Sequence, residues 1–576
     1  MSKMKNKLYE PEKIANFREL VERYSLFGDK TAFAYKLSPK DKEIIHITYK
    51  QFQNDIYCLG TALMSLGLEG KNVAIIAPNR YEWCTSYLAT QIANMVTVPL
   101  DKALPDGEIE NLILRSSAEA VIFDVKYLDV FQKIKKEQKS NLKYYICMDF
   151  KEDSKEIYSY TRLLQSGKKL LDYGDTRLQN VKIDNKKMAV MLFTSGTTAI
   201  AKAVELSQFN ICENIYVIGC VCKVVPEDVF LSFLPLHHTF ESTTTFLYGT
   251  YCGITVAFCD GLRYVVDNLK EYKVTGIVCV PLMLEAMFKK IEKGIAQKGK
   301  TRLVHIMTKV CNFLLKLGID IRRTVFKEIL DELGGHLRVI VYGAAPMDKK
   351  VAQGLTNLGI NLLQGYGLTE TSPVICAEND KYKKPGSCGF PMPNAEIRID
   401  SPNDQGIGEI KVKGTSVMLG YHHNKEATEE VLKDGWFYTG DLGYFDKEGH
   451  LFITGRKKDV IVLKNGKNIY PQELEMLLST LPYVAEVMVY GKPTKDGDLK
   501  ICAKIVYQED LLKQHFGDVS KEEYHSLIWN DVKNLNKTMH PYKYIREILV
   551  TDEPMIKTTT QKIKRHEELK KLLGNT

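Results

Sequence analysis

Residues 193–207 read FTSGTTAIAKAVELS, and the fold turns on how this stretch is taken. Just before it, MAVMLF (188–193) is a short uninterrupted apolar run, the pattern of a strand buried on both faces. Thr194, Ser195, Gly196, Thr197 and Thr198 follow, bringing hydroxyls, a glycine and backbone N–H groups able to wrap phosphate oxygens. Lys202 adds a point charge suited to phosphate. The spacing is not that of GxxxxGK[ST] loops. Taken alone, the stretch fits a polar surface turn as well as a phosphate loop.

Working outward, NVAIIAP (72–78), AEAVIFD (118–124), TGIVCVP (275–281) and LRVIVYGAAP (337–346) are further apolar, β-branched runs separated by amphipathic stretches. That alternation predicts an α/β domain whose sheets lie between helices, with ligands at the loops after the strands. After about Gly406 the texture changes. GEIKVKGTSVM and GHLFITG alternate in steps of two, as half-exposed antiparallel strands do. KKDVIVLKNGKNIYP then predicts a hairpin turning at Asn465-Gly466. VAEVMVYGKP and KICAKIVYQ, separated by polar turns, predict a small α+β domain, with the boundary near Gly455–Asp459.

The bulk numbers limit the function classes. A chain of 576 residues is too long for a single core and predicts at least two domains. The hydrophobic share of 44% and charged share of 26% are those of a globular protein. A net charge of +8 and a pI near 8.6 fit an anionic substrate or an anionic membrane surface. There is no basic block interleaved with aromatics, no zinc-finger spacing and no RNA-recognition signature, so no nucleic-acid partner is expected. The thirteen cysteines are scattered without CxxC spacing, which predicts buried free thiols. No apolar core follows the charged MSKMKNKLYEPEKI, and no apolar run reaches the ~18 residues of a spanning helix. A cytoplasmic protein is expected.

The remaining motifs break the tie over residues 193–207. QGYGLTETSP begins at Gln364, and DGWFYTGDLGYFDKEGHLFITGRKKD begins at Asp434. With FTSGTT, LPLHHTFE (234–241), GEIKVKGTSVMLGYH (408–422) and TTTQKIKR (558–565), their order and spacing resemble the adenylate-forming superfamily of acyl-CoA synthetases, luciferases and peptide-synthetase adenylation domains. The likeness runs from about Thr48 to Arg565. The DGWFYTGDLG…GRKKD run, VPLDKALPDGEIE (98–110) and the long insert before GGHLRVIVYGAAP are most similar to fatty acyl-CoA synthetases.

The resemblance implies an α/β protein. Its large N-terminal domain (1–455) would contain layered αβαβα sheets plus a distorted β-barrel, and its small mobile α+β C-terminal domain (456–576) would turn on a hinge near Lys458. It further implies that Tyr366, flanked by Gly365 and Gly367, stacks on adenine, with Gly343, Ala344 and Ala345 as a thin wall. Thr369 would hydrogen-bond the α-phosphate. Glu370, with Thr194, would hold Mg²⁺ against the triphosphate of ATP, where a carboxylate would otherwise repel the phosphates. Asp441 and Arg456 would hold the ribose. His238 would position or gate at the acyl and thiol entrance; a metal role is not expected, since no third ligand lies at a sensible spacing. Lys562 would bridge the carboxylate and the α-phosphate, cancelling charge that grows at phosphorus. A domain rotation about Lys458 would then admit CoA, with Gly466 leaving room for the pantetheine arm.

The chain departs from the family pattern where Ala199 and Ala203 replace glycine, Ala201 replaces proline, and Gln561 stands before the lysine where glycine is common. Alanine costs roughly 1 kcal/mol or more at a positive φ. Because Thr194 to Thr198 and Lys202 are whole, a working variant is expected. The region around Phe240, Thr243, Thr244, Thr245, Phe246, Tyr248 and Gly249 predicts an apolar acyl channel with no charge to grip an amino acid. A medium or long aliphatic acid is expected, with CoA as the thiol acceptor or, alternatively, an acyl-carrier protein. A catalytically impaired adenylate- or lipid-binding homologue is the alternative from another class. Residues 298–330 are basic and amphipathic; they fit a helix pair packed on the large domain or a peripheral contact with anionic lipid.

Overall fold

In a computed structural model, the structure describes residues 6–194, 201–345, 347–464, 467–494, 497–558 and 563–574. The apolar runs form the predicted strands, Asn72–Ile76, Ala120–Phe123, Gly276–Cys279 and Val339–Tyr342, and nearly every residue in them is buried. Such strands have no solvent face to satisfy, and they stack into two large sheets.

The first sheet has nine strands. Its centre is parallel, running from Thr31–Tyr35 through Thr255–Phe258, Val229–Ser232, Gly276–Cys279 and Val339–Tyr342 to Asn361–Gly367. The second has eight strands and ends in an antiparallel trio: Met188–Thr194, Lys202–Ser207 and Gly420–Tyr421. A third, five-stranded antiparallel sheet contains Ala395–Asp400, Gly408–Gly414, Trp436–Phe445 and Leu451–Arg456. It is the half-barrel, and GEIKVKG in it alternates between buried and more open positions, as its period-two pattern requires.

Beyond a short turn at Lys457–Asp459, strands Val484–Pro493, Leu499–Tyr507 and Glu547–Thr551 make a separate three-stranded sheet. Helices Pro471–Leu478 and Lys521–Asn536 accompany it. The predicted hairpin is present as Ile461↔Ile469 and Val462↔Asn468; its tip, Asn465-Gly466, lies outside the described residues. Among the described residues no core cluster crosses Arg456: the clusters of the large part end by Leu451, and those of the small part begin at Ile461.

All thirteen cysteines are free, and eleven are buried. Among the described residues no helix is long and apolar enough to cross a membrane.

Candidate nucleotide and acyl site

Three sheets supply the site. Strand Asn361–Gly367 runs out of the nine-stranded sheet and carries Gly365, Tyr366 and Gly367 at its end. In the half-barrel, register puts Asp441 directly opposite Arg456. The Tyr366 hydroxyl donates to Asp441 Oδ2 at 2.7 Å, and Arg456 Nε lies 2.7 Å from Asp441 Oδ1. One buried carboxylate thus fastens the predicted adenine-stacking ring and the predicted ribose arginine together. Burial, reinforced by the Asp441 charge, holds the Tyr366 hydroxyl well above its ordinary pKa, so it donates at any working pH. Each carboxylate oxygen accepts more than one hydrogen bond, which leaves Asp441 capacity for ribose hydroxyls.

The backbone around Tyr366 is tightly constrained. A Cβ on Gly343 would stand 2.8 Å from the Gly365 carbonyl oxygen, and one on Gly367 would stand 1.8 Å from that of Pro373. Only glycine permits these approaches. Ala344 adopts φ 72°, a left-handed conformation rare for alanine; such local strain is found where structure around it fixes a functional shape.

Thr369 and Glu370 sit on the short helical turn Thr369–Thr371. The Glu370 carbonyl accepts the Met418 N–H at 2.8 Å, and its Oε1 accepts the Tyr421 hydroxyl at 2.9 Å. The Lys202 ammonium lies 4.8 Å from the centre of the Tyr421 ring, and Thr194 Oγ1 donates to the Lys202 carbonyl at 3.3 Å. Tyr421 therefore links the predicted magnesium carboxylate to the predicted phosphate lysine. It stands in the GYH that ends the GEIKVKGTSVMLGYH motif, on the edge strand Gly420–Tyr421 of the eight-stranded sheet, and the motif alone gives it no role. A tyrosine inside a matched motif was the available signal.

Electrostatics draw these groups into one site. The Lys458 ammonium is depressed below its ordinary pKa, first by burial and then by Arg456, with Lys202 also repelling it. Arg456 in turn feels Asp441 and Glu370. Three cations converge with two carboxylates, and the arrangement would be relieved by a polyanion placed among them.

Ser195, Gly196, Thr197, Thr198 and Ala199 lie outside the described residues, as do Gly466, Gln561 and Lys562. Ala203, however, is a regular strand residue paired with Phe193 and buried in a core cluster. Extended backbone makes no demand for glycine, so no strain arises there. The loop's far end is also braced: Arg115 Nη2 donates to the Ala201 carbonyl at 2.6 Å.

His238 caps the turn Thr239–Glu241, with its ring 4.4 Å from that of His237. Among the described residues, the compact metal-type grouping is Asp446, Glu448 and His450. Lys384 already spans its carboxylates at 2.7 and 3.1 Å.

The predicted acyl channel needs correction. Ser242–Leu247 forms a π-helix whose residues are all buried, and Phe246 packs into an aromatic cluster with Phe33, Phe52, Trp83 and Tyr87. Phe246 is therefore core, and its apolar character alone could not distinguish the two. Phe240 is half-buried, with its ring 3.6 Å from where a Gly343 Cβ would be; it is the member of that group beside the predicted adenine wall. The same turn holds Glu241, which the sequence reading passed over. This carboxyl is fully buried, accepts from Thr245 Oγ1 at 3.0 Å, and is pushed up to a pKa of about 8 by its burial.

The family profile described as AMP-binding enzyme matches residues 20–422, and that of the AMP-binding enzyme C-terminal domain matches residues 458–573. The chain belongs to the AMP-binding enzyme family. This adenylate-forming protein is 30% identical to long-chain-fatty-acid–CoA ligase 5 of Rattus norvegicus, over 77% of this chain and 69% of that one. It is 26% identical to a chloroplastic long-chain-fatty-acid–[acyl-carrier-protein] ligase of Arabidopsis thaliana, over 95% of this chain and 84% of the relative. Among solved structures, an anthranilate CoA ligase in complex with anthranoyl-AMP superposes with a TM-score of 0.77 at 20% identity, covering 98% of each chain. That likeness establishes the fold.

Proposed function

We propose that the protein activates a medium- or long-chain fatty acid with ATP, releasing pyrophosphate, and then transfers the acyl group to the thiol of CoA. The observation that carries this reading is the Tyr366–Asp441–Arg456 linkage, a nucleoside cradle sited beside the cationic phosphate region.

In the first step a carboxylate oxygen of the acid attacks the α-phosphorus and the bond to the bridging oxygen breaks. Pyrophosphate leaves with that electron pair. Tyr366 stacks on the base, Asp441 and Arg456 hold the sugar, and the Thr369 hydroxyl donates to the α-phosphate. The residues 194–198 and Lys202 hold the departing phosphates. Glu370 and Thr194 offer oxygen donors, the hard ligands magnesium takes, and the bound ion would supply charge neutralisation. Lys562 places an ammonium between the two anions.

In the second step the chain beyond Lys458 turns about that residue, and the Gly466 region replaces Lys562 at the site. The thiol sulfur attacks the acyl carbonyl, its proton is lost to solvent, and the bond to AMP breaks. The absence of a core cluster bridging Arg456 among the described residues supports a division into 1–455 and 456–576. His238 acts by position at the entrance.

An acyl-carrier-protein thiol is the second reading, favoured by the relative matched over 95% of this chain. Incubation with ATP, Mg²⁺ and a fatty acid, with CoA or holo-acyl-carrier protein offered side by side, identifies the acceptor from the thioester formed. Acyl-CoA as the product supports the first reading. Acyl-carrier-protein thioester alone replaces it with the second. Fatty acids reside in membranes, so contact of residues 298–330 with a lipid surface is part of this reading.

A further inference from the structure

Helix Thr301–Lys316 is apolar on two sides. One side belongs to the core: Cys311 is fully buried, and Val304 and Met307 pack on the cluster that also receives Phe240. The other side does not. Leu303, Ile306, Val310, Phe313 and, at the helix end, Leu317 are between 41% and 63% exposed. At 100° per residue these five fall within an arc of about 80°, centred about 110° around the helix from the buried three. Seven of the eighteen exposed large apolar side chains among the described residues lie between Leu303 and Ile319. A stripe this concentrated differs from the scattered apolar residues of an ordinary surface and marks an interaction face.

Its charges identify the occupant. Arg302, Lys309 and Lys316 fall in an adjoining arc of about 40°, all exposed, and the helix carries no Asp or Glu. No ion pair to these three is formed among the described residues, whereas Lys298 and Lys300 nearby are engaged by Glu332 and Glu328. Long cationic side chains beside an apolar stripe can reach headgroup phosphates while the stripe enters the acyl boundary. A protein partner burying this face would have to supply both an apolar groove and acids beside it; an anionic leaflet supplies both at once.

We propose that the outer face of helix Thr301–Lys316 docks the protein, in the plane of the interface, on an anionic lipid bilayer. This deepens the lipid-contact part of the proposed function and rests on it for its purpose. Its test needs neither ATP nor substrate, so the two stand or fall separately.

The full-length protein is sedimented with vesicles of phosphatidylcholine alone or of phosphatidylcholine mixed with phosphatidylglycerol. Stronger binding to the mixed vesicles, weakened by added salt, is expected. Lys309→Gln with Lys316→Gln should lower the partition constant by about 30-fold, from roughly tenfold or less per lysine. Ile306→Ser with Phe313→Ser should lower it at least about tenfold. Both pairs are exposed, so unchanged thermal melting is expected and certifies the fold. If either pair lowers the melting point, the single variant Lys309→Gln is read instead. Wild-type protein that ignores anionic vesicles overturns the proposal. So do variants that bind as well as wild type, and so does a stripe that instead holds two copies together, seen as a dimer that Phe313→Ser dissociates without any loss of vesicle binding.

Discussion

Asp441 and Arg456 face one another across neighbouring strands of the half-barrel, and Tyr366 reaches them from the nine-stranded sheet. The flanks of Lys562 are anchored elsewhere. Arg565 pairs with Glu475 at 2.5 Å and lies 3.6 Å from Asp459, while Glu568, buried, holds Lys504 at 2.8 Å. The cradle thus rides on the cores of the large part, and the lysine's neighbourhood rides on the small one. A group that must enter for one reaction and leave for the next belongs on a body that can move separately from its target.

The largest test of that comparison removes the lysine proposed to travel. Lys562→Ala should slow acyl-adenylate formation by on the order of 10²–10³, with thioester formation from supplied acyl-adenylate nearly unchanged; equal losses in both steps would place the lysine's role outside adenylation. Next comes the fixed side. Asp441→Asn weakens the charge-assisted contact to Arg456, and kcat/KM for ATP should fall by about tenfold to a hundredfold. An unaltered ATP dependence would remove Asp441 from the cradle. Glu370→Gln should raise the Mg²⁺ concentration needed for half-maximal rate by several-fold, read from a magnesium titration.

The smallest effect concerns Glu241. Its carboxyl is raised from 4.5 to about 8 when folded, so between those values the folded state holds a proton that the unfolded state has lost. Stability is therefore full below about pH 4.5 and declines as pH rises through about 8. Glu241→Gln should cancel this decline. The difference in melting temperature, variant minus wild type, should be greater at pH 8 than at pH 5.

The strands were legible because burial on both faces writes itself as short continuous apolar, β-branched runs such as NVAII and GIVC, bounded by turn residues. Tyr366, Asp441 and Arg456 could be singled out because their motifs are contiguous, and the roles proposed for them come from resemblance. That Tyr366 and Arg456 share one carboxylate was not, since they meet Asp441 across two sheets. Phe246 was read as channel lining because an apolar ring in a core and one beside a ligand have the same composition. Glu241 was missed because a carboxyl in LPLHHTFE gives no sign of complete burial. The helix of 301–316 was legible as basic and amphipathic. That its apolar residues divide between a core face and an open one needed the fold.

Fatty-acid-dependent exchange of labelled pyrophosphate into ATP, run across a panel of acids of increasing chain length, tests the central claim most directly. Exchange that requires Mg²⁺, rises with medium or long aliphatic acids and is absent with amino acids is the predicted result. No exchange with any acid, from protein that binds nucleotide, would contradict it.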